Sequence, residues 1–320
     1  MTESEAKKLI EVENLSRRYG DTLAVDDISF CLRQGDVLGF LGPNGAGKST
    51  TMQMLCGALA PTQGGITING IDLLEQPLAA KRAIGFLPEK PPLYNELTVD
   101  EYLRYCARLH CISKKDRPDA VAAAKQRCGL TENGSRLISN LSKGFQQRVG
   151  IAQAIIHSPQ VVILDEPTVG LDPIQIREIR DLIRELGRDH GVILSTHILP
   201  EVQMTCNRVQ IIHNGRLVFS DAIEDLNRNA EAASLLIGLA HPPATGIIEN
   251  IHGIKRVETI ADGRYRVHFK DGRSPAEEIA RLAVNNNWGL LELTPESRNL
   301  EQVFIELTSA ETTPAGEHAA

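Results

Sequence analysis

Gly42-Pro43-Asn44-Gly45-Ala46-Gly47-Lys48-Ser49-Thr50, set between the apolar run Val37-Leu38-Gly39-Phe40-Leu41 and the helix-like stretch TMQMLCGAL, decides the reading of this 320-residue chain. Gly42, Gly47, Lys48 and Ser49 fill the spacing GxxxxGK[ST]. The residue types have a physical reason. Glycine lets backbone N–H groups turn inward on a polyphosphate with no Cβ in the way, and a helix starting here adds the positive end of its dipole. Lys48 is then placed to reach the β- and γ-phosphates, and the Ser49 hydroxyl to ligate Mg²⁺. Strand, loop and helix in that order predict nucleotide binding.

A second apolar run, Val161-Val162-Ile163-Leu164, ends in Asp165-Glu166-Pro167. Acids at the tip of a buried strand lie where a parallel sheet presents groups to bound phosphate. Asp165 is a candidate to hold Mg²⁺, directly or through water, and Glu166 to polarise the attacking water.

Outward from these two runs, Leu9 to Phe30 alternates apolar and polar residues about a turn at Tyr19-Gly20-Asp21, which predicts an antiparallel strand pair. The helix after the glycine loop is predicted to run to about Leu59, Pro61 to Gly70 to be turn-rich with a short strand, and Ile84 to Leu87 to be a strand. Thr98–Cys111, Ser113–Cys128 and Ser142–Ser158 read as helices, so a helical subdomain is predicted from about 90 to 158. Gly191–Ser195 is another buried strand, and Asn214-Gly215 closes a hairpin. Buried strands alternating with helices imply a parallel sheet covered on both faces. Beyond about Asp221 the pattern predicts a helix, then strands at SLLIGLA, Ile254–Ile260, RYRVHFK and GLLELT, a loop at HPPATG, and helices at Pro275–Asn286 and Leu300–Leu307. That is a small α+β accessory domain over 226–309, with 310–320 as a disordered tail.

Composition narrows the partners. The formal net charge of -7 argues against a broad electrostatic hold on nucleic acid, and none is expected. No apolar run approaches the roughly 18 to 20 residues needed to cross a bilayer, and MTESEAKKLI lacks the apolar core of a secretory signal, so a cytosolic chain is expected. Six cysteines form no CxxC pair and read as small reduced hydrophobes.

Leu141-Ser142-Lys143-Gly144-Phe145-Gln146-Gln147-Arg148, ahead of Asp165, resembles with the two motifs above the signature of ATP-binding cassette (ABC) ATPases. Gly170-Leu171-Asp172 and Ser195-Thr196-His197 follow in the family's order, and the resemblance covers about 5 to 225. It implies the α/β fold of a P-loop nucleoside triphosphate hydrolase, with ATP and Mg²⁺ bound and ATP hydrolysed. On this resemblance Ser142 and Gly144 open a helix whose N-terminus meets the γ-phosphate held by an opposite subunit, His197 senses that phosphate, and Tyr19 stacks on adenine. Three positions depart from the common pattern: Glu89 where Gln is usual, Lys143 for a small residue, and Val169 for Ser. Glu89 joins Ser49 and Asp165 as a candidate metal ligand, although its charge also repels the γ-phosphate.

LPE before a Pro-rich loop, together with LSKG, looks like the branch serving drug and gliding-motility-type exporters. The resemblance implies a second copy, or a paralogous ATPase, as dimer partner. It also implies a separate membrane permease at the cytoplasmic face, docked between the Glu89 region and the helices of 90–158. Two other classes of nucleotide-binding protein fit the sequence less well. A non-transport cassette ATPase acting on ribosomes or DNA usually carries two cassettes or a long coiled coil, and neither is present. A GTPase switch lacks support because the guanine-reading NKxD is missing.

Overall fold

The computed structural model describes residues 7–223, 234–269, 274–296 and 304, and divides into two compact units, 1–223 and 224–320. The first unit is built on a six-stranded sheet. Its strands are β3 (Val37–Leu41), β6 (Ile84–Leu87), β7 (Val161–Asp165), β8 (Gly191–Thr196), β9 (Arg208–His213) and β10 (Arg216–Ala222), in the order β10-β9-β3-β8-β7-β6. All neighbours pair parallel except β10, which returns antiparallel on β9 as an edge. β3, β7 and β8 are buried at every position, which is why they read as unbroken apolar runs.

Successive side chains in a strand point to opposite faces, and the two faces here meet different layers. Val162, Leu164, Val192 and Leu194 pack into one core with α3 (Val99–Leu109), α4 (Arg117–Arg127), α5 (Lys143–Ile155) and α6 (Pro173–Leu186). Val161, Ile163, Ile193 and Phe40 pack into another with α1 (Lys48–Leu55) and a second sheet. That second sheet is antiparallel: β1 (Lys8–Tyr19) and β2 (Thr22–Arg33) form the expected hairpin, and β4 (Gln63–Ile68) and the short β5 (Ile71–Asp72) extend it in the order β2-β1-β4-β5. The turn-rich stretch after Pro61 thus completes a layer. Its alternation, with Ile66 and Ile68 buried, is set by pairing to Ile10 and Val12 about 55 positions away, which local pattern does not reveal.

Two helices are shorter than their periodicity suggests. α1 ends at Leu55 because Gly57 takes a left-handed φ of 63°, and α4 begins only at Arg117 after Ser113–Asp116 form a turn. α3 opens on a capping box in which Thr98 and Glu101 satisfy each other's backbone N–H groups. The short α2 (Pro77–Lys81) and α7 (Leu199–Thr205) lead into β6 and β9.

In the second unit, β11 (Ser234–Leu239), β12 (Ile254–Ala261), β13 (Arg264–Phe269) and β14 (Leu290–Glu296) form an antiparallel sheet of order β12-β13-β11-β14. Leu235, Ile237 and Val267 meet Ile279 and Ala283 of α9 (Ala276–Asn285) in its core, beside Trp288. The loop expected at HPPATG carries one helical turn and a little more, α8 (Thr245–Glu249). The helix expected after Asp221, that of 300–307, apart from residue 304, and the tail of 310–320 lie outside the described residues. Among the described residues no helix is long and apolar enough to cross a membrane.

Candidate functional site

Parallel pairing turns distant sequence into neighbouring geometry. β3, β8, β7 and β6 lie side by side and run the same way, so their carboxyl ends share one edge of the sheet. Leu41 pairs with Thr196, Asp165 with Ser195, and Leu87 with Leu164. The glycine loop, His197, the Asp165-Glu166 pair and Glu89 each follow one of these ends.

A cavity of about 420 Å³ opens there, lined by Asn44, Gly45, Gly47, Lys48, Ser49, Thr50, Glu89, Glu166 and His197, with Ala24 and Val169. Gly45 (φ 81°) and Gly47 (φ 108°) hold the left-handed backbone that lets the loop wrap, and a Cβ on Gly47 would stand 2.5 Å from the Ala24 carbonyl. Gly42, Pro43 and Ala46 serve by backbone and packing: Gly42 leaves no room for a Cβ against the Ile212 carbonyl, and Ala46 is buried. The Lys48 ammonium donates to the carbonyls of Gly42 (2.8 Å) and Pro43 (3.1 Å), and stands 3.6 Å from Glu166 Oε1. Two carbonyl acceptors and a neighbouring carboxylate thus hold the buried Lys48 side chain in one place.

Glu166 is buried and takes a φ of 48°, a left-handed conformation rare outside glycine. Its N–H donates to the Ser195 carbonyl at 3.0 Å, and its carboxylate accepts from His197 Nδ1 at 3.0–3.1 Å. Because a carboxylate accepts only, the imidazole must carry its proton on Nδ1.

Asp165 is also buried, and its Oδ1 has no hydrogen-bond partner. Burial raises its pKa; the hydroxyls of Ser195 and Ser49 pull it down, while the Glu89 charge adds to the rise. An orphaned carboxylate oxygen with a serine hydroxyl and a second carboxylate nearby is a donor set of hard oxygens that suits Mg²⁺. Among the described residues no three or more His, Cys, Asp or Glu side chains cluster as a metal cage, so the remaining ligands would be phosphate oxygens and water, as that ion prefers.

Not every predicted residue meets in this cavity. Ser142 and Gly144 line a separate one of about 300 Å³ with Phe145, Arg148, Asp172 and Gln175, where Ser142 caps α5 through a long bond from Phe145 N–H. Tyr19, at the end of β1, is half exposed, lies under the Arg17 guanidinium at 4.7 Å, and is not among the cavity's lining residues. Lys143 lies against Gly170, and with Glu89, Lys90, Pro91, Gln146, Gln147 and Val169 it lines a third hollow of about 280 Å³. Glu89 and Val169 therefore line both this hollow and the cavity at the glycine loop. Sequence reading missed Ala24, a residue type with no signal, and Glu201, an acid in the first turn of α7 that is buried with its carboxylate bonded to two threonines. The signal for Glu201 was an acid within the apolar stretch ILPEV.

Comparison with known proteins identifies the family and the fold. Residues 25–169 match the family model described as ABC transporter. The chain is 35% identical over 307 residues to the bacitracin transport ATP-binding protein BcrA of Bacillus licheniformis, covering 95% of this chain and 98% of that one. A solved structure described as the ATP binding subunit of an ABC transporter is 34% identical, with a TM-score of 0.62 over 69% of this chain and 92% of that one. A second, cbiO1 of Clostridium perfringens, described as part of the ABC transporter complex cbiONQ, is 29% identical with a TM-score of 0.64 over 69% of this chain and 91% of that one. Kinship over nearly the whole length, with the phosphate loop and the paired acids brought to one sheet edge, shows that the chain belongs to the ABC transporter ATP-binding proteins and is an ATPase of that family.

Proposed function

We propose that this chain is the motor subunit of an exporter, that two copies, or this chain and a paralogue, close head to tail on ATP, and that each site is finished by Ser142 and Gly144 of the opposite subunit. The observation that carries this reading is the division of the site. Lys48, Ser49, Glu166 and His197 line one cavity, whereas Ser142 and Gly144, at the start of α5, line another. A helix N-terminus capped by serine suits an anion brought to it from outside.

Within one subunit the roles follow from charge and reach. Lys48 binds the β- and γ-phosphates, and because it stands 3.6 Å from Glu166, bound phosphate competes with that carboxylate for its charge. Glu166, steadied by His197, then polarises the water that attacks in line. His197 senses the γ-phosphate from the same edge. Ser49, Asp165 and Glu89 would hold Mg²⁺, which would neutralise charge developing on the phosphates. Tyr19 keeps half its surface free for an adenine ring.

Export is supported by the relative named for bacitracin transport and by the LPE and LSKG departures. The hollow at Glu89, Lys90 and Lys143 is the site we assign to the permease, and on that reading the chain works at the cytoplasmic face of the membrane. Glu166→Gln tests the central role: turnover should fall about a hundredfold or more while ATP binding persists, and the ATP-loaded chain should elute as a dimer in size exclusion. Wild-type turnover in that variant would contradict it.

A further inference from the structure

We infer that Glu201 is a positioning residue for hydrolysis, holding the segments that carry Glu166 and His197 at a fixed separation. The inference rests on the proposed roles of those two residues. Glu201 is 1% exposed. Its Oε1 accepts from the Thr168 hydroxyl at 2.6 Å, and its Oε2 from the Thr196 hydroxyl at 2.9 Å. Thr168 stands two residues after Glu166, and Thr196 immediately precedes His197. Since Glu166 and His197 are themselves hydrogen-bonded at 3.0 Å, the links close a ring: Glu166 to Thr168 through the chain, Thr168 to Thr196 through Glu201, Thr196 to His197 through the chain, and His197 back to Glu166.

The chemistry of the ring is directional. A carboxylate can only accept, so both threonine hydroxyls must donate to it, and Thr196 Oγ1 in turn accepts from the Ile198 N–H at 3.1 Å. Short hydroxyl–carboxylate bonds in a dry setting are strong and geometrically strict. The ion pair beside them is weak by comparison. An Arg180 terminal nitrogen lies 4.0 Å from Glu201 Oε1, and Arg180 Nε is buried without a partner, so no two-pronged guanidinium grip secures the carboxylate. Where packing alone is required, a buried charge is commonly outdone by an apolar side chain of similar volume. What a carboxylate does here that a leucine would not is take one hydroxyl on each oxygen and so tie the turn after β7 to the end of β8.

Steady-state hydrolysis and nucleotide binding by the full-length chain test this, with Glu166→Gln as the reference. Glu201→Gln, which keeps the shape but presents one acceptor oxygen, should lower kcat about tenfold to a hundredfold with the KM for ATP and the affinity for a non-hydrolysable analogue within about twofold. Thr196→Val should behave likewise, and Thr196→Ser should recover most of what Thr196→Val loses. Turnover within twofold of wild type in both Glu201→Gln and Thr196→Val would overturn the inference. So would a loss shared equally by ATP affinity, or a Thr196→Ser chain no better than Thr196→Val. If Glu201→Gln does not fold, Thr168→Val and Thr196→Val carry the same comparison. Wild-type turnover in Glu166→Gln would instead sink the reading of the site; an inactive Glu166→Gln beside fully active hydroxyl variants would remove only the positioning role.

Discussion

Glu89 stands between two cavities, and its charge helps raise the pKa of Asp165. Glutamine at that position would leave the phosphate loop and Lys48 untouched but remove the negative charge that faces both Asp165 and the outer hollow. Glu89→Gln should therefore keep ATP affinity within about threefold and change the stimulation of hydrolysis by a reconstituted permease; unchanged stimulation would argue against a coupling role. That Lys48, Ser49 and Glu166 come to line one cavity, with Asp165 at the strand end beside them, was legible in the sequence because the motifs that carry them have fixed types at fixed spacing. Glu201 was not, because its meaning depends on Thr168, 33 positions away, and on Thr196 reaching the same two oxygens. The left-handed backbone of Glu166 was equally invisible, since nothing in Asp-Glu-Pro announces φ 48°.

At the scale of elements, β6 and α5 show how little slack surrounds the site. A Cβ on Gly85 would strike the Ala154 carbonyl, so Gly85→Ala must push α5 away from the strand that leads to Glu89. The expected loss is about 1–3 kcal/mol, readable as a lower urea midpoint. Just past α5, His157 Nε2 donates to the Ile84 carbonyl at 3.0 Å and its ring stacks on His110 at a centroid distance of 3.7 Å. Burial, and then the charge of His110, lower its pKa to about 4. Below about pH 6.5 the unfolded chain therefore binds a proton that the folded chain refuses, so this contribution to stability is full above that pH and is lost as pH falls toward 4. His110 and His190 are shifted in the same direction by burial. Urea midpoints measured across that range should fall with acid, and His157→Gln should flatten the slope. Strands and helices were readable here as periodic runs. The addition of β4 to the β1–β2 hairpin was not, because pairing between Ile10 and Ile68 leaves no local trace.

At the scale of the whole molecule, the cavity at the glycine loop and the cavity at the α5 N-terminus, both in the first unit, share no lining residue. The signature resemblance makes a two-subunit site the expectation, and in the proposed dimer the separation of these surfaces would give a second copy something to contribute. Loss of the α5 surface should then abolish turnover without weakening the binding of ATP by Lys48 and its loop. The most direct measurement is turnover per chain as a function of chain concentration, for the wild type and for Gly144→Asp, which sets a negative charge where the opposite γ-phosphate would dock. Wild-type turnover per chain should rise with concentration and then saturate, and Gly144→Asp should stay near zero throughout while still binding ATP. Turnover per chain that is constant down to the most dilute wild-type sample, and unchanged in Gly144→Asp, would contradict the two-subunit site.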